Sequence, residues 1–150
     1  MNRLSYNELI GTVAIQSALV NSKSKSISLA KAMLVLPLLF DNSVRSVLKK
    51  KNSVVLSSKD LLLSNPTAFS TVRHRYSDLT ITSLNTMLLS CEIGMARVED
   101  DSLRLIHPIY SSGDTQIGKT ANDMLAAGPK LGLILSEDIS DLYQTFRIEL

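Results

Sequence analysis

Apolar positions recur at helical spacing along most of the chain. Leu9, Ile10, Val13, Ala14, Ser17 and Ala18 trace one stripe, with Ser5 or Asn7 placed to cap it. The spacing predicts a first helix to about Leu19, with Gly11 a mild weakness inside it. Asn21 to Ser28 is polar, serine-rich and basic, and reads as a solvated loop. The run Leu29 to Phe40 reads as a second, buried helix that Pro37 should kink or end. Asp41 to Ser43 opens a short helix through Val44, Val47 and Leu48 into Lys49, Lys50 and Lys51, and Ser57 to Asp60 opens another over Leu61 to Leu63. From Thr67 a segment runs to Gly94 with a break near Ser77-Asp78. Within it Ile81, Leu84, Met87, Leu88, Cys91 and Met95 keep helical spacing, which predicts a core stripe.

The period then changes. Ala96 to Glu99 and Ser102 to Ile106 alternate in twos around Asp100-Asp101, a β-hairpin pattern within residues 96–107. Thr120 to Ala127, Leu131 to Leu135 and a last segment capped by Ser136 to Asp138 return to helix. With no internal repeat or linker, residues 1–150 read as one domain. The expected fold class is mainly α, a compact helical domain with one hairpin, and short helices followed by a two-stranded wing also fit a winged-helix topology.

Composition narrows the classes. A chain of 150 residues with 45% apolar and 20% charged side chains can bury a core and is not of disordered type. One cysteine, Cys91, leaves no internal disulfide framework and, with two histidines, little for a zinc site, which points to a reducing compartment, the cytoplasm. No secretory signal is visible, and Leu29 to Phe40 is about half the length of a bilayer crossing, so no membrane role is expected. The net charge of +2 hides an uneven distribution: residues 1–75 carry eleven basic and three acidic side chains, a balance of +8, and residues 76–150 carry five and eleven, a balance of −6. A basic half suits phosphate or an acidic partner, whereas two solvated surfaces of opposite sign explain the same numbers.

Candidate chemistry is sparse. Gly113 to Thr120, GDTQIGKT, satisfies the G-x-x-x-x-G-K-[ST] phosphate-loop pattern. A nucleotide-binding domain needs parallel strands beside that loop, yet only 30 residues follow Thr120 and the preceding segments read as helices, so the match is expected to be coincidental. Lys49, Lys50 and Lys51 are candidate nucleic-acid or partner contacts, although three lysines at a helix C-terminus are also accounted for by the helix dipole. Arg73, His74 and Arg75 form a second candidate, with pairing of one arginine to an acid such as Asp78 as the structural alternative. Glu99, Asp100 and Asp101 are expected to be turn residues, His107 structural, and Cys91 an inert buried thiol. No catalytic constellation, metal set or cofactor box assembles.

A resemblance joins these segments. Leu34 to Phe40, LVLPLLF, followed by Ser43 to Leu48, resembles a signature of the middle components of three-component ABC systems; Phe69 to Arg75 resembles that family's basic segment. Ala121 to Leu135 is similar to its penultimate helix and Ile139 to Ile148 to its closing element, where Thr145-Phe146 replaces the family's Leu-Gly. The resemblance implies a non-catalytic adaptor without a cofactor. It would dock on an SMC-like or Rad50-like ABC ATPase beside an effector, often a nuclease, in bacterial defence of the Lamassu type, with DNA reached through the complex. A stand-alone winged-helix DNA-binding regulator is the alternative.

Overall fold

A computed structural model describes residues 5–51, 54 and 57–149. Its first helix, α1 (Ser5–Val20), is buried on every side: each residue from Gly11 to Leu19 is inaccessible to solvent or nearly so. A helix in that position needs partners all round, and α1 has them. It touches α2 (Leu29–Leu39), α7 (Thr80–Glu92), α8 (Gly118–Ala126) and α9 (Gly128–Leu135), and reaches the sheet as well. Ser5 and Asn7 both lie inside α1, so neither is the cap that the sequence pattern suggests. Between α2 and α7 run α3 (Asn42–Leu48), α4 (Ser58–Ser64), α5 (Pro66–Phe69) and α6 (Val72–Asp78), and α10 (Ile139–Thr145) closes the order. The fold is mainly helical, as the periodicity predicts.

Two departures from the sequence pattern shape the molecule. The stretch read as a solvated loop carries a strand, β1 (Ser26–Ser28). It pairs antiparallel with β3 (Ser102–Leu105), which also pairs antiparallel with β2 (Ala96–Glu99), giving the order β1-β3-β2. Ile27, Leu103 and Val98 share one register row, and Leu103 and Ile27 turn into the core. A three-residue strand has too short a pattern to read, and its partner lies some 75 positions away along the chain.

The second departure is α7. Its predicted core stripe faces outward: Ile81 is 68% exposed, Leu88 60% and Leu84 46%. Of the six positions only Met87 and Met95 are buried, while Cys91 is half-buried. At 3.6 residues per turn, Ser83, Thr86 and Ser90 occupy the opposite side, and all three are buried. Thr86 meets Gly11 of α1, where an added Cβ would lie 2.7 Å from its hydroxyl oxygen. Small side chains on α7 let the two helix backbones approach, and that close fit outweighs the apolar preference of the other face. The Ser83 and Thr86 hydroxyls have no hydrogen-bond partner, so their size is what they contribute.

Polar groups elsewhere tie segments to α1. The buried Gln16 side chain accepts from the amides of Ile109 (2.7 Å) and Tyr110 (2.8 Å), and donates to the Tyr110 carbonyl (2.8 Å). Thr12 shares a 2.6 Å bond with the Tyr110 hydroxyl. At the far end of α1, a Cβ on Gly132 would stand 2.4 Å from the Asn21 carbonyl oxygen, so α9 needs glycine to pass there. At Gly11, alanine gains about 1 kcal/mol of helix propensity but overpacks the contact. Gly11→Ala is therefore expected to destabilise by about 1–2 kcal/mol in urea unfolding, and Thr86→Ala in the same chain to restore most of the loss.

Candidate functional site

The three lysines that the sequence singles out lie at the C-terminal end of α3. Asp41 starts that helix, its carboxylate accepting from the amides of Ser43 (2.6 Å) and Val44 (3.2 Å). At its other end Lys49 reaches Asp123 of α8 at 3.3 Å, and Lys119 reaches the same carboxylate oxygen at 2.9 Å from one turn earlier on α8. The Lys130 ammonium of α9 donates to the Lys50 carbonyl oxygen. Lys50 and Lys51 are exposed. Two lysines from α3 and α8 thus share one carboxylate, and the chain around Lys50 brings Lys130 of α9 to the same end of α3. The hydrogen bond from Lys119 holds the Asp123 carboxyl below the usual aspartate range, and the same bond raises the Lys119 ammonium. Lys119 and Lys130 belong to the acidic half of the sequence, and only the packing of α8 and α9 on α3 adds them to this patch.

The second candidate cluster divides. Arg75 turns inward, forming an ion pair with Asp41 and a 2.6 Å bond to the Thr71 hydroxyl. The acid is therefore Asp41, not Asp78, and one carboxylate both caps α3 and binds α6. Arg73 and His74 stay exposed, beside a shallow pocket lined also by Tyr76, Ser77 and Glu149. The two clusters sit at opposite ends of α3, about 10 Å apart along its axis.

A third feature is aliphatic and carries its one charge at its end, where the exposed Glu92 follows Leu88 by one turn. From Thr80 to Cys91, α7 carries no ionisable acid or base other than the thiol, and Ile81, Leu84 and Leu88 stand on its outer face. Surface helices of soluble proteins ordinarily put charged residues on that side.

The model of the family described as ABC-three component (ABC-3C) system Middle Component 3 matches residues 2–150. The chain belongs to that family. No curated protein and no solved structure matches it. In this middle component the phosphate-loop pattern is spent on local structure. The Gly113 amide donates to the Asn122 side chain (2.8 Å) and the Gln116 amide to Asp114 (2.9 Å), while Lys119 turns to Asp123. The segment enters α8 from a 3-10 turn, and the strands among the described residues are antiparallel. The Glu137 carboxylate accepts from the amide and hydroxyl of Ser58 (2.7 Å each) and joins α4 to the start of α10.

Other candidates have structural work. Glu99 forms ion pairs with Arg97 and with Arg104 (3.5 Å) on the outer face of the sheet. Asp100 takes a φ of +56° in the hairpin turn, a conformation aspartate tolerates better than most residues. Burial pushes the Cys91 thiol up, away from the thiolate form that reacts. Burial likewise raises the Tyr143 phenol, which donates to the Ala30 carbonyl at 2.8 Å. Among the described residues no group of three or more His, Cys, Asp or Glu is placed to hold a metal ion, and no helix is long and apolar enough to cross a membrane.

Asp41→Ala removes a helix cap and leaves Arg75 half-buried without its carboxylate, so a loss of about 2 kcal/mol is expected. Arg73→Ala, on the exposed side of the same segment, is expected to change stability by less than about 0.5 kcal/mol. Urea denaturation of the two variants side by side checks the contrast.

Proposed function

We propose that this middle component is a non-catalytic adaptor. It docks on an SMC-like ABC ATPase and couples it to an effector nuclease in cytoplasmic defence against phages or plasmids, of the Lamassu type. Family membership along nearly the whole chain supports a role as one part of a three-part system. The observation that carries the docking is the inverted α7. Its small face is consumed by α1, and three large aliphatic side chains remain outside on a helix whose one charged residue is its last, Glu92. Covering each of them on a partner is worth about 1–2 kcal/mol, enough for a helix face to anchor an interface.

The connectivity favours a second reading. The order α1, β1, α2, then α7, β2, β3, with strands in the order β1-β3-β2, is compatible with a winged helix in which α3 to α6 would be an insertion before the last helix. In a helix-turn-helix DNA reader the recognition helix enters the major groove and presents polar side chains to base edges. The helix in that place here, α7, offers Ile81, Leu84 and Leu88. Such a face suits protein better than bases, which ranks the stand-alone DNA-binding regulator second.

Co-expression with the ABC ATPase of the same system is the test. The adaptor reading expects stable co-purification, abolished by Leu84→Glu/Leu88→Glu with little change in the melting temperature of the isolated subunit, since both positions are already in water. Separate monomers at micromolar concentration would count against the adaptor. Sequence-selective operator binding that Arg73→Ala weakens would favour the regulator.

A further inference from the structure

The lysine patch made by α3, α8 and α9 is left over once α7 is assigned to docking. Its composition argues for one kind of ligand. Lysine is depleted at protein–protein interfaces, where arginine and aromatic side chains are enriched. The contributing segments, residues 45–51 and 119–130, contain no aromatic residue. Their arginine, Arg45, is turned away to the Leu39 carbonyl oxygen (2.9 Å). Flexible ammonium groups without stacking surfaces make point contacts with phosphate and read no bases. The missing aromatics also count against single strands, whose binding relies on base stacking.

We propose that Lys49, Lys50, Lys51, Lys119 and Lys130 contact the phosphodiester backbone of duplex DNA, without sequence preference, on a surface separate from the α7 face. Asp123 sets the geometry. By holding Lys49 and Lys119 on one carboxylate oxygen, at 3.3 and 2.9 Å, it keeps two ammonium groups from α3 and α8 close together. A phosphate oxygen arriving there takes over the role that Asp123 fills in the free protein. The carboxylate therefore positions the lysines and also competes with the ligand for them. The proposal rests on the adaptor reading only in giving this subunit a reason to meet DNA; its chemistry stands on the patch alone.

Titration of a fluorescent duplex of arbitrary sequence with the purified full-length subunit, over a series of salt concentrations, tests it. Four or five phosphate contacts give a log–log salt slope of about −4 and weaken binding about 250-fold between about 50 and 200 mM salt. Lys119→Ala/Lys130→Ala is expected to reduce the slope by about 1.8 and to lower affinity at least tenfold at low salt. Asp123→Asn is expected to tighten binding several-fold, because the patch loses its competing charge; a purely structural Asp123 would give the opposite or no change. Leu84→Glu/Leu88→Glu should leave duplex affinity intact, so failure of docking and failure of DNA contact are read separately. Absence of duplex binding at about 50 mM salt, a preference for single strands, or an unchanged slope in the lysine variant overturns the proposal. So does loss of ATPase co-purification in that variant with duplex affinity unchanged, which would make the patch a protein contact.

Discussion

Burying α1 from all directions imposes a condition on every neighbour, because each helix that covers it must come close without colliding. Gly11 and Thr86 meet that condition at the α1–α7 crossing, and Gly132 meets it where α9 passes Asn21. The core grows outward from this axis: α2, with Ala32 and Leu34 to Leu39 all buried, lies along α1, and the sheet adds Ile27 and Leu103. Gln16 and Thr12 then fasten the segment after β3 to the same helix through Tyr110. The packing decides which side of α7 is left for the solvent.

That outcome separates the surface into regions of different chemistry. The α7 face is aliphatic up to the terminal Glu92; the far end of α3 is cationic; the outer face of the sheet is a mixture, with Glu99 between two arginines. Among the described residues, the carboxylates that sequence motifs single out are engaged in caps, ion pairs and helix junctions.

Much of the helical order was legible because the local signals are strong. Asp41, Ser57 and Asp138 accept from the amides that their positions promise, and the hairpin follows its period of two. What was illegible depends on contacts distant along the chain. The strand at Ser26–Ser28 exists because Leu103 is there to pair with Ile27. The orientation of α7 follows from a glycine 75 residues before Thr86, and a periodicity argument that counts only apolar residues gives the wrong side. For the candidate contacts, the sequence supplied Lys49 to Lys51 but not Lys119 and Lys130. Those two became neighbours of the first three only through folding, and Lys119 was disguised by a nucleotide-loop pattern. Pairing of one arginine in the Arg73–Arg75 cluster with an acid was an open alternative in the sequence, but neither the choice of Arg75 nor its acid, Asp41, was legible there.

The Asp41 carboxylate has a mechanical corollary. One of its oxygens pins the first turn of α3 and the other grips Arg75 on α6, so these helices share a rivet. Seven residues of stiff rod separate it from Lys49. Because Lys49 and the Lys50 carbonyl tie the far tip of α3 to α8 and α9, that rod is bolted down at both ends, and cutting the rivet loosens only the near one.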